Sequence, residues 1–143
     1  MSFSVYSLKD VRTVLSHPDC GQCVLSDAGG GRVTISTAGD MAANTKSATG
    51  YVTINKMDAR DGVIGLEVPM NSDADNFLRV FCKTLAAKPT NRFGLGVFTL
   101  NDTAAGRVIT CTGVVPQKVP DDNYDQQASN RQYNLLYAEK TEQ

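Results

Sequence analysis

The sequence predicts a mainly β protein of the α+β class. Its expected form is an antiparallel β-barrel or sandwich with one flanking amphipathic helix at about 72–87 and a long protruding hairpin loop at about 38–50. Three observations predict it. Stretches rich in Val, Ile and Thr alternate with period 2 along most of the chain. The period changes strongly to 3.6 only after Pro69. Asp is used far more than Glu, and Trp is absent, a balance that suits strands and turns more than long helices.

Residues 3–16 alternate as a half-buried strand, with Phe3, Val5, Val11, Thr13 and Leu15 on one side and Ser4, Tyr6, Arg12 and Ser16 on the other. A break near Lys9-Asp10 divides it. His17-Pro18-Asp19 reads as a turn, because Pro presets its backbone angle and Asp bonds its own following amides. A short strand at 23–26 leads to Asp27–Gly31, whose consecutive glycines fit a flexible turn or bulge. Arg32–Thr37 and Tyr51–Met57 form the clearest pair of strands. Between them lie Ala38, Gly39, Asp40, Met41, Ala42, Ala43, Asn44, Thr45, Lys46, Ser47, Ala48, Thr49 and Gly50. This small, polar stretch has little to anchor it to a core and is expected to project from the sheet.

Asp61-Gly62 is a tight-turn pair leading to Val63–Val68, a central strand on which Glu67 faces away from Leu66 and Val68. The helix follows. Ala74, Phe77, Leu78, Phe81, Cys82 and Leu85 make its apolar stripe, Asn71 or Ser72 caps it, Asp75 suits its first turn, and Pro89 ends it. Strands then resume over Phe93–Leu100, Arg107–Val115 and Arg131–Ala138, with Pro120–Asn130 as a polar connection.

The 143 residues, read as a single domain over 1–143, are enough for one hydrophobic core without staples. A formal net charge of -1 leaves no basic excess for holding a polyanion by counterion release. No apolar run is long enough for a transmembrane helix, and the start, MSFSVYSLKDVR, lacks signal-peptide character. A product assembled in a cytoplasm, with Cys20, Cys23, Cys82 and Cys111 as reduced thiols, is expected.

The spacing His17-x2-Cys20-x2-Cys23 carries two chemical readings. Imidazole and thiolates on a tight turn could share a zinc ion, although no fourth ligand lies nearby, and Cys20-Gly21-Gln22-Cys23 could be a redox dithiol. A structural turn is the alternative. With one His and no nucleophile-elbow, zincin or P-loop spacing, the chain offers no parts for the usual catalytic machinery. Asp73 with Asp75, and Asp121, Asp122 and Asp125, are explained by a helix start and a solvated loop. A small β-sandwich binding module for sugar or peptide is a second functional class, though five Phe, five Tyr and no Trp supply few aromatics for its cleft.

Several short strings occur in a definite order: Tyr6–Val11 (YSLKDV), a VTI strand before the long small-residue loop, GYVTIN, the helix around Asn76–Phe81, and Ile109–Pro116 (ITCTGVVP). From about residue 4 to about residue 138 this order resembles the tail tube proteins of contractile-tailed bacteriophages. The turn containing His17, Cys20 and Cys23 departs from the pattern. The resemblance implies a structural virion protein, not an enzyme and without a cofactor, that self-assembles into stacked, sixfold rings. These form the tail tube through which DNA is ejected. Its partners would be its own copies, the sheath, a baseplate ring, the tape-measure protein and the terminator. DNA would pass transiently, with no membrane insertion, and the virion tail would be assembled in the host cytoplasm. On that reading Ala38–Gly50 becomes the inter-ring loop and Glu67 a candidate for the lumen wall, since an acidic group repels phosphate.

Overall fold

A computed structural model describes residues 2–25, 31–122 and 124–143. Residues 2–7 lack regular structure, and Leu8–Asp10 forms a single 3-10 turn at the break expected near Lys9-Asp10. The first strand is therefore only the second half of the expected one. It is β1 (Val11–His17), followed by β2 (Gly21–Val24), β3 (Val33–Thr37), β4 (Ala42–Lys46), β5 (Val52–Lys56) and β6 (Gly62–Pro69). Helices α1 (Asp73–Ala86) and α2 (Thr90–Phe93) precede β7 (Gly96–Asp102), β8 (Arg107–Lys118), β9 (Asn130–Tyr137) and β10 (Glu139–Glu142). The glycine turn expected at Asp27–Gly31 lies outside the described residues except for Gly31.

All strand pairings are antiparallel, in the order β2-β1-β7-β8-β9-β6-β3, with β10 also on β8 and β4 and β5 forming a separate ribbon. Of the two forms the sequence allows, the sandwich is the one adopted, since among the described residues β2 and β3 end the strand order without pairing with each other. One strand serves both layers. The first half of β8 pairs with β7 and β10, and its end pairs with β9. Between the halves Gly113 takes φ of 68°, and a Cβ there would sit 2.8 Å from that of Ala138, where β9 crosses to β10. Only glycine fits this bend.

The two layers enclose one core with α1 at its side. Leu15, Phe98, Cys111 and Val114 meet Ile64, Leu66, Val68, Tyr133 and Leu135, and Leu78, Phe81 and Leu85 of α1 close it. Parity explains the sorting, because β9 buries Arg131, Tyr133, Leu135 and Tyr137 and exposes the residues between them. The helix follows its expected range. Ser72 is the cap, accepting from the Asp75 amide at 3.2 Å.

Three expectations are corrected. Arg32–Thr37 and Tyr51–Met57 do not pair with each other: β3 pairs with β6, and β5 pairs with β4. Phe93 ends α2, a short helix that begins just after Pro89, instead of opening a strand. Asp61-Gly62 is no hairpin turn, because Gly62 is the first residue of β6, opposite Thr37 and Tyr137. A Cβ on Gly62 would collide with the Ser36 carbonyl oxygen and approach the Tyr137 hydroxyl to 2.5 Å, so the strand needs glycine here.

Candidate assembly surfaces

The stretch from Ala38 to Gly50 projects, as expected, but not as an unstructured loop. Ala42–Lys46 is a strand despite its poor β propensity, because a short turn at Ser47–Gly50 folds it onto Val52–Lys56. The Ser47 hydroxyl accepts from the Tyr51 amide at 3.1 Å and fixes that turn. Every residue of both strands is exposed. Register gives the ribbon two unlike faces. Lys46 lies opposite Val52, Asn44 opposite Ile54 and Ala42 opposite Lys56, so one face carries Val52, Ile54 and Ala42 around Asn44, with a lysine at either end. The other holds Ala43, Thr45, Thr53 and Asn55, with Asn55 Nδ2 donating to Thr45 Oγ1 at 2.8 Å.

Glu67 sits as expected on the face of β6 opposite the core, accepting from Asn130 Nδ2 at 3.0 Å. Around it Arg32, Thr34, Ser36, Gly65, Gln132 and Asn134 line a shallow depression of about 300 Å³. Arg32 and Glu67 are its only charges. This polar face spans β3, β6 and β9, and it neither attracts nor repels an anion strongly.

His17, Cys20 and Cys23 do not converge on a common point. His17 is buried, its Nδ1 accepting from the Asp19 amide at 3.0 Å while Nε2 donates to the Arg92 carbonyl at 2.9 Å. Both ring nitrogens are used within the fold, which leaves neither free to bind a zinc ion in this arrangement. Among the described residues no group of three or more His, Cys, Asp and Glu is placed to hold a metal ion. Burial raises the thiol pKa of Cys20 and of Cys23. Neither is the activated thiolate a redox pair requires, and both pack against the core. The turn is instead tied to α2 by Arg92, whose Nη2 donates to Asp19 at 2.6 Å.

One site escaped the sequence reading. Asp75, explained there only as an acid suited to the helix start, is fully buried. Its Oδ2 accepts from Arg131 Nη1 at 2.7 Å and from the Asn71 amide at 3.1 Å, and its Oδ1 accepts from the Tyr133 hydroxyl at 2.7 Å. Arg131 also donates from Nη2 to the Tyr124 hydroxyl at 3.3 Å and lies over that ring, while Asp122 pairs with Arg79. The connection before β9 is thus strapped across α1 and β9. A signal existed: Asp75 falls on the buried stripe of the helix and Arg131 on the buried parity of its strand.

The family model described as Bacteriophage PhiTE tail tube protein matches residues 3–141. The chain belongs to this tail tube family. No curated protein matches it. Among solved structures, this tail tube protein is similar to a chain of the anti-feeding prophage baseplate, at TM-score 0.62 and 12% identity, covering 100% of this chain and 97% of that one. It is similar to a chain of the PVC sheath-tube complex of an extracellular contractile injection system in the extended state, at TM-score 0.56 and 13% identity, with 92% and 88% covered. A chain from the tail of an empty GTA particle gives TM-score 0.60 at 11% identity, with 94% and 95% covered. At such identities the likeness is one of fold. The tail tube protein is a structural component of a phage tail, and its exposed ribbon, polar sheet face and open strand edges are candidates for contact with other subunits.

Proposed function

We propose that this one-domain tail tube subunit closes into rings of six that stack into the conduit for DNA ejection. The match to a tail tube family over residues 3–141 carries the reading. The sixfold symmetry of the GTA tail and of the anti-feeding prophage baseplate supports the ring number. Within the layer β3-β6-β9-β8, neither β3 nor the Val115–Lys118 end of β8 has a second partner strand among the described residues. Joining these unlike edges between neighbours is a head-to-tail contact, the kind that closes into a ring and removes exposed edges.

The polar face around Glu67 is then the lumen wall. Its charges nearly cancel, so DNA slides past without a lattice of phosphate contacts. The ribbon containing Ala38–Gly50 reaches the adjacent ring. Sheath, baseplate, tape-measure and terminator proteins are the further partners, and assembly takes place in the host cytoplasm. A sugar- or peptide-binding module fits less well, because neither the depression at Glu67 nor one beside Lys118 and Asn130 is lined by an aromatic side chain.

The test replaces Gly39–Arg60 by Asn-Gly. That pair closes a two-residue hairpin where the Ala38 amide already donates to the Asp61 carbonyl at 3.0 Å. We expect a folded protein forming rings but no tubes by negative-stain microscopy. Tubes of normal length from the shortened chain would remove the ribbon from stacking.

A further inference from the structure

We infer that the receptor for the ribbon is the strap before β9 on the next copy of this chain, with the lysine-flanked apolar face of one seated on the acidic, aromatic-bearing surface of the other. The inference rests on the stacking role proposed above and adds the surface that receives the ribbon.

Placement comes first. The ribbon leaves the sheet where Thr37 faces Gly62, and the strap enters where Pro69 faces Asn130. These are the two ends of β6, whose eight residues span about 23 Å. Subunits stacked end to end along this strand direction therefore bring the ribbon of one to the strap of the next. The contact is heterologous and repeats without limit, as a tube requires.

Charge comes second. Residues 41–57 contain Lys46 and Lys56 and no acid, whereas residues 119–130 contain Asp121, Asp122 and Asp125 and no base. Asp122 is spent on Arg79 and Arg131, but Asp121 and Asp125 are exposed. Neither ribbon lysine forms an ion pair among the described residues.

Apolar surface comes third. The ribbon exposes Ile54 by 73% and Val52 by 48%, and the strap exposes Tyr124 by 73% and Val119 by 55%. Large exposed apolar groups rimmed by charge mark contact surfaces, and here the two rims have opposite sign. Between strap and β9 lies a depression of about 260 Å³, with Val119 and Asp121 on its strap side and Lys118 and Arg131 among its other lining residues, and with room for an apolar side chain of the ribbon.

A charge swap tests the pairing. Lys46→Glu with Lys56→Glu, and separately Asp121→Lys with Asp125→Lys, should each leave the unfolding midpoint of the subunit unchanged and cut tube yield by about tenfold or more. Combining all four substitutions should restore tubes. The pairing is overturned if the strap double variant polymerises like the parent, or if the combination rescues nothing. Should a reversal misfold, Asp121→Asn with Asp125→Asn takes its place. It should lower tube yield and flatten the salt dependence, and unchanged yield and slope would count as refutation. The stacking role itself fails on a different result, namely tubes from the chain without its ribbon. Loss of tubes there, with an indifferent strap, discards the receptor alone.

Discussion

Arg131 donates from Nη1 to Asp75 Oδ2 at 2.7 Å, joining β9 to the first turn of α1 through a pair almost wholly withdrawn from water. A buried pair gains little over a well-packed apolar pair, but breaking it leaves one charge stranded. Three further contacts, from Asn71, Tyr133 and Tyr124, fix both partners. The pair thereby sets where the helix begins relative to the sheet.

Asp75→Ala or Arg131→Ala should each cost about 3–5 kcal/mol in urea unfolding, whereas Asp75→Leu combined with Arg131→Met should cost less than either. Single variants within about 1 kcal/mol of the parent would show the pair to be dispensable.

Stability should fall at alkaline pH. Burial pushes the Cys111 thiol from its ordinary 9.0 up to about 11, so the folded state favours the neutral form. The unfolded thiol ionises first. This group's contribution is therefore complete below about 9 and is lost as pH rises through about 11. Tyr133 and Tyr137, also raised chiefly by burial, extend the decline. Unfolding midpoints across this window should drop less steeply in Cys111→Val than in the parent, and parallel curves would refute the assignment.

How much of this was legible differs by element. The helix was, because its stripe and Ser72 cap are local. So was the outward side of Glu67, which follows from parity alone. The strand β10 was not: Glu-Lys-Thr-Glu has no apolar alternation and becomes a strand by pairing with β8. Nor was the partner of β5, since two β-branched stretches match each other in pattern, whereas a four-residue turn brings a weaker strand nearer. Asp75 and Arg131 each broke an apolar pattern, but a separation of 56 positions hid that one answers the other.

His17→Ala should destabilise by about 1–3 kcal/mol, because it orphans the Asp19 amide and the Arg92 carbonyl. Zinc, added or chelated, should leave the thermal midpoint where it is. A metal-dependent shift abolished by His17→Ala would restore a ligand role.

Gly62→Ala should cost about 1–3 kcal/mol by overpacking against Ser36 and Tyr137, and should disturb the root of the ribbon. Reduced tube yield beyond the loss of subunit stability, read by microscopy and urea unfolding together, is the expected outcome. Normal yield would mean that the root tolerates the strain.

Glu67→Lys should leave tube assembly intact and slow DNA release more at low salt than at high salt, as a wall that now attracts phosphate must. Release rates indifferent to salt would take Glu67 off the lumen.

The ribbon leaves the body at strand ends, and this decides how the subunit answers force. Tension along the ribbon runs straight down β3 and β6. Both strands are pulled the same way, and β9 holds them through β6 by bonds set crosswise to the pull, eight registered residue pairs in all. Such a joint must shear all at once, where a tab attached to a strand's flank would peel one bond at a time. Because β8 belongs to both layers, the load passes through unbroken chain into the second sheet. Column and rivet are one piece, and a stack of these subunits would bear axial load as a shaft does.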